Sequence, residues 1–277
     1  MGFEEKAQGP EFAGDLGPGR VTVLGGNGCR LTGLSSFHLD EGPGFAWLSI
    51  YRVLGDAKEL DLPRSRGPSS VSVDEGDVVV QWDPCEELDA VLRSRYRLVE
   101  EQMAVDVTFS VDTRRDYSAL ELFVSSYFTP YFTPRYAVMD NRAHPEGVFW
   151  YEKQWYGEAE NECWPRDPAG LEVIQDGRWL TGYPLNWRVG PYYALPLMTQ
   201  EHRYSPAIVI MAKREDCMGM SGFYSFHNSH YLHLFGVDVA AGDRLATTVR
   251  LAVLRGRDKL DEAAVQAYED WIKEGTR

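Results

Sequence analysis

The feature that most constrains the fold of this sequence is a period-two alternation of apolar and polar residues. The segments that show this alternation are rich in β-branched or aromatic residues and are bounded by turn formers such as Gly-Asp. Alternation places one face of each strand in a core, so the chain is predicted to be mostly β-sheet. Six segments show the pattern: FAWLSIYRV (45–53), DVVVQWD (77–83), VLRSRYRLVE (91–100), MAVDVTFSVD (103–112), AIVIMAK (207–213) and RLATTVRLAVL (244–254).

The number of strands indicates the architecture. With the weaker runs included, we count roughly fourteen to eighteen strands, which suits two large antiparallel sheets better than a small sandwich. We therefore predict an all-β fold, a large two-sheet antiparallel β-sandwich of the supersandwich type. Residues 1–19 are predicted to be a flexible leader, and residues 20–277 a single domain. This domain is predicted to end in a C-terminal α-helix over residues 258–274, where apolar residues recur at helical spacing.

Charge and cysteine content bear on partners and location. The chain has a formal net charge of -14, and such a field repels both nucleic-acid phosphates and anionic lipid headgroups. No nucleic-acid or membrane partner is expected, and no segment has the basic and apolar regions of an export signal. The four cysteines are scattered without a CxxC pair, which is typical of free thiols in a reducing compartment. We predict a cytoplasmic location.

The segment from Tyr127 to Tyr204 concentrates aromatic residues next to proline, glycine and charged residues. Aromatic rings stack on the apolar face of a pyranose, while arginines and carboxylates bind its hydroxyl groups. The composition therefore indicates a saccharide site; alternatively, the rings fill a large core. Candidate stacking residues are Trp155 and Trp187, and Arg135, Arg188 and Arg203 are candidates to orient hydroxyls or a carboxylate.

A carboxylate lies inside this aromatic segment, in VFWYEKQWYGEAE. Strand alternation puts Glu152 on the same face as Trp150, where desolvation is expected to raise its pKa toward the range of a general acid or base. The alternative is a salt bridge to a lysine or arginine. The acidic residues that follow, Glu158 to Glu162, are interpreted either as a solvated loop or as a divalent-cation site with His144.

Three histidines fall in the stretch SGFYSFHNSHYLHLFGVD. As a strand, it puts His227, Tyr231 and His233 on one face, and His230 on the other with two leucines that belong to the core. His227 and His233 are then about 20 Å apart, so the three imidazoles do not converge on one metal. We take His227 as the preferred catalytic imidazole and Tyr231 as part of the binding surface.

The block YSALELFVSSYFTP (117–130) and the block HNSHYLHLFGVDVAAGD (227–243), within this layout of strands, resemble proteins of the galactose-mutarotase-like superfamily. The resemblance implies a β-supersandwich with a concave sheet that binds a saccharide. It also implies a histidine that protonates the ring oxygen and a glutamate that deprotonates the anomeric hydroxyl. In this chain those roles fall on His227 or His144 and on Glu152.

These observations lead to one main functional hypothesis and two alternatives. The main one is a carbohydrate-active enzyme that works on a mono- or short oligosaccharide by general acid-base chemistry, as an epimerase-type isomerase, a lyase or a hydrolase, without a favoured cofactor. A metal-dependent variant would hold Mn²⁺ or Zn²⁺ with His144, Glu146, Glu152 and His227. The second alternative is a non-catalytic carbohydrate-binding or assembly module, with the aromatic segment as a platform or a homodimer interface.

Overall fold

A computed structural model gives the three-dimensional structure of the chain. It describes residues 2, 4–5, 12–16, 19–25, 28–32, 46–140, 144–153, 160–179, 187–202, 206–224, 227–255 and 259–275. The helices in this part of the chain are α1 (Pro63–Arg66), α2 (Pro168–Ile174) and α3 (Leu260–Glu274), with one 3₁₀ turn at Glu100–Gln102. The strands are β1 (Glu4–Glu5), β2 (Phe12–Leu16), β3 (Gly19–Val23), β4 (Cys29–Thr32), β5 (Ser49–Gly55), β6 (Lys58–Asp61), β7 (Ser70–Asp74), β8 (Asp77–Trp82), β9 (Ala90–Val99), β10 (Ala104–Thr113), β11 (Tyr117–Phe128), β12 (Phe132–Asp140), β13 (His144–Glu152), β14 (Glu160–Pro165), β15 (Trp187–Val189), β16 (Tyr193–His202), β17 (Ala207–Ala212), β18 (Cys217–Tyr224), β19 (Asn228–Val239) and β20 (Arg244–Leu254).

Two large sheets form the body of the protein. One has nine strands in the order β13-β12-β16-β17-β20-β10-β9-β8-β7, and the other has seven in the order β15-β14-β18-β19-β11-β5-β6. Every pairing in these two sheets is antiparallel except β14 with β15, which is parallel. The predicted all-β antiparallel sandwich is confirmed.

The core lies between the two sheets, and strand alternation fills it. In β10, Val105, Val107, Phe109 and Val111 are buried in the core, whereas Thr108 on the opposite face bonds the hydroxyl of Thr248 in β20. Leu232 and Leu234 of β19 belong to the same core, as the sequence predicts. Burying such side chains contributes about 1.5–3 kcal/mol each to folding, which explains why strands of this pattern pair in this register.

The C-terminal helix covers the outer side of the nine-stranded sheet. Helix α3 packs Ala264, Tyr268 and Trp271 against a layer that includes Leu197 and Met211 of that sheet. It begins at Leu260, two residues after the predicted start, because Lys259 has a left-handed backbone with φ of 63°. The predicted C-terminal helix is confirmed.

Residues near the N-terminus form a small four-stranded sheet in the order β1-β2-β3-β4. Strand β2 pairs with β3 in antiparallel register, and Phe12 is only 5% exposed in the main core. At residues 12–16 the structure thus differs from a loose leader, because an apolar side chain is buried there. The division of the chain into a leader and one domain stays a prediction.

Two other sequence-based expectations concern the chain as a whole. None of the four cysteines forms a disulfide, and Cys29, Cys163 and Cys217 are buried. Over the residues for which the structure gives positions, no helix has the length and apolar character needed to cross a membrane.

Candidate functional site

A layer of aromatic side chains covers the outer face of the seven-stranded sheet, on the side away from the core. Phe123 and Tyr231, from neighbouring strands, stack with ring centroids 4.6 Å apart and planes 12° apart. Trp179 meets the edge of Phe123 at 4.7 Å, and Trp187 meets Trp179 at 5.4 Å. We call this layer the aromatic face, and its members are Tyr51, Phe123, Tyr127, Trp179, Trp187, Phe223 and Tyr231.

A β-bulge in β5 adds a tyrosine and an arginine to this face. The pairing of β5 with β11 skips Tyr51, so that Arg52 pairs with Phe123 and Ile50 with Val124. A bulge of this kind turns consecutive side chains toward the same side of the sheet. The Arg52 guanidinium carbon therefore lies 4.9 Å from the Tyr51 ring centroid and 5.8 Å from that of Trp179, while Arg52 also pairs with Glu59.

His227 lies at one end of the aromatic face, just before β19 begins. Its ring centroid is 5.3 Å from that of Tyr127 and 5.0 Å from that of Phe223. Burial lowers the pKa of the His227 imidazole below its usual value of 6.5. At neutral pH the ring is therefore uncharged, which is the form that accepts a proton.

Phenol hydroxyls lie on the same face. Burial raises the pKa of Tyr127 and of Tyr231 above the usual value of 10. Both hydroxyls therefore keep their protons at physiological pH and are able to donate hydrogen bonds.

Beneath the rings lies a buried polar network that joins Glu121, His233, Ser221 and Arg178. Nδ1 of His233 is 2.7 Å from Oε1 of Glu121, and Nε2 of His233 is 2.8 Å from Oγ of Ser221. Arg178 Nη1 donates to the other Glu121 oxygen at 2.8 Å. Although burial opposes ionisation of Glu121, His233 and Arg178 together lower the pKa of its carboxyl below the usual value. A buried carboxylate paired in this way is retained as a charge.

A hydrogen-bonded chain runs from Ser221 through His233 to Glu121. In a catalytic triad the same residue types act as the nucleophile, the base and the acid that orients the base. However, all three side chains are fully buried. His233 is covered by Trp179 and Trp187, whose ring centroids each lie 5.9 Å from its own. The network therefore positions the rings above it, and its atoms do not form an open reaction centre.

The Arg178 guanidinium explains how the loop after α2 is held on the sheet. It binds both carboxylate oxygens of Asp176 and donates to the carbonyl of Ala119 in β11 at 3.0 Å. Trp179, the next residue, is thereby fixed against Phe123.

His230 points to the opposite side of β19, as predicted. It lies between the two sheets, where its Nε2 is 2.6 Å from Nε2 of Gln200 in the nine-stranded sheet. Burial lowers the pKa of His230 to about 3. The structure thus places His230 in the core and Tyr231 and His233 on the outer side, so the three histidines do not converge.

The surroundings predicted for Glu152 are wrong. Glu152 is the last residue of β13, in the nine-stranded sheet, and its side chain is exposed rather than desolvated among rings. The strand does alternate, but Tyr151 is the residue that turns inward against Trp164, and Trp150 packs under α3. Its catalytic role stays a prediction, without the pocket on which that prediction depended.

Arg135 also lies away from the aromatic face. Its guanidinium pairs with Asp261 in the first turn of α3, with Nη2 2.9 Å from Oδ2, and lies 5.5 Å from the Trp150 ring centroid. This position suits an anchor for the helix. The sequence analysis predicted that Arg135 orients a substrate. In the structure it lies instead on the α3 side of the nine-stranded sheet.

Arg188 is on edge strand β15 next to Trp187, and its side chain is 68% exposed. Its Nη1 lies 3.9 Å from Oε1 of Glu162, which is buried and accepts a hydrogen bond from Lys153 Nζ at 2.7 Å. Glu162 is therefore part of an ion-paired cluster at the sandwich edge, and not of a solvated acidic loop.

Several predicted site residues fall where the structure gives no side-chain detail. Trp155 and Arg203 lie outside the described residues, and the side chains of His144 and Glu146 in β13 do as well. Among the side chains that are described, no group of three or more His, Cys, Asp or Glu residues is placed to hold a metal ion.

The structure adds site residues that the sequence analysis missed. Glu121 carried a signal, because it is the one charged residue in the apolar run LELFVSSYF of β11. An acid in such a strand must be paired when it is buried. Arg178, 57 positions away, carried no local signal, and neither did the bulge at Tyr51.

Comparison with solved structures identifies the class of fold. An α-N-acetylgalactosaminidase from Bifidobacterium bifidum, solved with GalNAc, has a TM-score of 0.58 at 11% identity, covering 96% of this chain and 39% of that chain. A galactose mutarotase related enzyme from Lactobacillus acidophilus has a TM-score of 0.50 at 9% identity, covering 90% and 98%. A Synechocystis protein has a TM-score of 0.56 at 8% identity, covering 92% and 98%.

These similarities define the protein class by its fold. The chain has the galactose-mutarotase-like β-sandwich fold, which confirms the resemblance seen in the sequence. It spans about two fifths of the Bifidobacterium protein and nearly the whole length of the other two. No protein-family model matches the chain, and no curated protein sequence matches it.

Proposed function

We propose that the protein binds a mono- or short oligosaccharide on the aromatic face and acts on it by general acid-base chemistry, as an isomerase of the aldose 1-epimerase type. The observation that carries the proposal is the position of His227, an uncharged imidazole between Tyr127 and Phe223 at the end of a ring-covered sheet. Rings of this kind stack on the C–H face of a pyranose, while the phenol and imidazole groups bind its hydroxyls.

In this scheme His227 accepts the proton of the anomeric hydroxyl while the bond between C1 and the ring oxygen breaks, and the ring oxygen takes a proton from water. The two proton transfers run in reverse when that hydroxyl attacks either face of the aldehyde and the pyranose ring closes again. The lowered pKa of His227 suits a proton acceptor at neutral pH. The resemblance to mutarotases assigned a histidine to proton donation instead, so the direction of proton transfer is the point at which the two accounts differ. Elimination or hydrolysis of a glycoside would use the same imidazole.

The test is the rate at which pure α-galactose converts to the equilibrium mixture, followed by proton NMR with and without the protein. We expect His227→Gln to reduce the protein-dependent rate by about 10²-fold or more. The matched control is His230→Gln, the same change three residues along, on the core side of β19. Equal loss in both variants, or no protein-dependent rate for any sugar, would contradict the proposal.

One observation favours a second function, a non-catalytic saccharide-binding or assembly module. On the described part of the aromatic face, the carboxylates are engaged: Glu121 with His233 and Arg178, and Glu59 with Arg52. A binding module needs rings and hydrogen-bonding groups but no second acid-base group. In that case His227→Gln would leave saccharide affinity within about twofold of the wild type, and neither protein would change the anomer ratio over time.

A metal-dependent variant of the enzyme would require Mn²⁺ or Zn²⁺ bound by His144, Glu146, Glu152 and His227. Of these, the side chains of Glu152 and His227 are described: Glu152 ends β13 of the nine-stranded sheet, and His227 precedes β19 of the seven-stranded sheet. Loss of activity on chelation that is restored by Mn²⁺ or Zn²⁺ would favour this variant.

We further propose a cytoplasmic location, supported by the four unpaired cysteines, and leave a homodimer as the candidate assembly. Equilibrium sedimentation under reducing conditions tests the assembly state.

A further inference from the structure

We infer that a groove on the outer face of the nine-stranded sheet binds a small polar ligand through one oxyanion group, a carboxylate or a phosphate. The groove encloses about 600 Å³ and is lined by residues of β7, β8, β9 and β10 and by Arg244, the first residue of β20. That volume lies in the range of small-ligand sites. The groove belongs to a different sheet from the aromatic face, and the inference does not depend on the function proposed above.

Strand register brings two arginines together over one stretch of β10. The residues on either side of Ser110 are buried in the core between the sheets, so alternation turns Ser110 and Asp112 to the outer face. Arg93 of β9 pairs with Ser110, and Arg244 of β20 pairs with Asp112. The two arginines therefore reach the same part of the groove from strands on opposite sides of β10.

These two guanidinium groups share one carboxylate. Arg93 donates to Oδ2 of Asp112, and Nε of Arg244 lies 3.4 Å from Oδ1 of the same residue. Arg93 also donates to Gln81, a neutral side chain, at 2.9 Å. Within the part of the chain that the structure describes, neither arginine pairs with a second carboxylate, so one positive charge is left unbalanced. The Arg244 side chain is 66% exposed, and a ligand in the groove can reach it.

The third arginine of the groove shows the opposite balance. Arg95 pairs with two carboxylates, those of Asp74 and Asp77. The end of the groove near Arg95 therefore has no surplus positive charge. An anionic group is expected at the other end, between Arg93 and Arg244.

A buried hydroxyl lies at that end of the groove. Ser110 lines the groove and is only 4% exposed, and its hydroxyl forms no hydrogen bond with any residue for which the structure gives a position. Leaving a buried hydroxyl without a partner costs free energy, which an acceptor atom of a ligand would restore. A carboxylate or phosphate offers several acceptor oxygens and can bond this hydroxyl and both guanidinium groups together. In a chain with a net charge of -14, the arginine pair supplies the local positive potential that such an anion needs.

The experiment follows the backbone ¹⁵N–¹H NMR signals of the full chain during titration with three probes: inorganic phosphate, galacturonate and galactose. We expect phosphate, galacturonate or both to shift the signals of residues 93–95, 108–112 and 244–246, whereas the neutral galactose leaves them in place. The anion that responds identifies the group as carboxylate or phosphate. The inference is overturned if neither anion shifts these signals, or if galactose shifts them as much as the anions do.

Variants then locate the anion within the groove. Arg244→Gln should weaken binding of the responding anion by roughly tenfold or more, and Ser110→Ala by roughly threefold or more. The matched control is Arg255→Gln, which removes the same charge from an exposed arginine just after β20 ends, about 35 Å along the same strand. Equal weakening in Arg244→Gln and Arg255→Gln would overturn the inference, because it would show a response to net charge alone. Saccharide binding at the aromatic face is measured by different signals, so either proposal can fail without the other.

Discussion

Nδ1 of His233 lies 2.7 Å from Oε1 of Glu121, and both side chains are completely buried beneath the aromatic face. The two residues come from neighbouring strands, β19 and β11, and Arg178 completes the network from the loop after α2. This network joins the sheet to the loop that carries Trp179. The geometry of the rings therefore depends on charges that lie under them.

The first prediction concerns this network. Glu121→Gln should lower the free energy of unfolding by about 3 kcal/mol or more, because it removes the buried carboxylate that Arg178 and His233 share and leaves Arg178 with Asp176 alone. Urea unfolding measures the change. Glu262→Gln, an exposed site in the first turn of α3, is the control and should change stability by less than about 0.5 kcal/mol. Equal changes in the two variants would show that the buried network contributes nothing to the free energy of unfolding.

The second prediction concerns the pH dependence of stability. Burial lowers the pKa of His230 to about 3 from its usual 6.5, so the unfolded chain takes up the proton first as pH falls. The contribution of the uncharged His230 to the free energy of unfolding is complete above about pH 6.5. It is lost as pH falls from there toward about 3, the pKa of His230 in the folded protein, by roughly 1.4 kcal/mol per pH unit. His227 contributes in the same direction.

His230→Gln removes that titration while keeping a partner for Gln200. Unfolding measured between pH 7 and pH 5 should therefore show a shallower slope in the variant, by about the contribution of one histidine. A slope unchanged from the wild type would mean that His230 is not buried as an uncharged ring.

The third prediction concerns saccharide affinity. Trp187 is a half-buried member of the aromatic face, and Trp187→Ala should weaken saccharide binding by about 1–3 kcal/mol, which titration calorimetry would detect. Phe149→Ala is the control, since Phe149 is also partly exposed but lies on β13 in the other sheet. A larger loss of saccharide affinity in Phe149→Ala than in Trp187→Ala would instead place the binding surface at β13, the edge strand of the nine-stranded sheet.

The fourth prediction concerns the pH profile of activity. If His227 accepts a proton, kcat/KM should be level near pH 7 and fall on the acid side, with an apparent pKa below 6.5, as the imidazole becomes protonated. In His227→Gln the fall of kcat/KM on the acid side should disappear, together with most of the rate. An activity that rises as pH falls from 7 to 5 would instead assign His227 to proton donation.

The sequence was sufficient for features that depend on local periodicity. Alternation predicted the strands that became β8, β9, β10, β17 and β20, and it placed Tyr231 on the outer face and Leu232 in the core. These features follow from a two-residue repeat that any core-forming strand must satisfy.

Other features depend on residues far apart in the chain, and alternation carries no information about them. Arg135 meets Asp261 across 126 positions and so becomes a helix anchor. The bulge at Tyr51 shifts the strand by one residue, which reverses the faces predicted by simple alternation. Glu152 follows the predicted alternation, but its side chain is exposed because it is the last residue of β13, an edge strand of the nine-stranded sheet.

The central claim is that a saccharide binds to the aromatic face. The most direct test is the ¹⁵N–¹H NMR spectrum of the eight tryptophan indole groups during titration with the sugars above, with signals assigned by single Trp→Phe variants. Trp179 and Trp187 belong to the face, Trp82 is in the core, and Trp271 is a residue of α3 that packs on the other sheet. The account predicts that the Trp187 and Trp179 signals shift while those of Trp82 and Trp271 stay in place. A shift confined to Trp271, or no shift with any sugar, would contradict it.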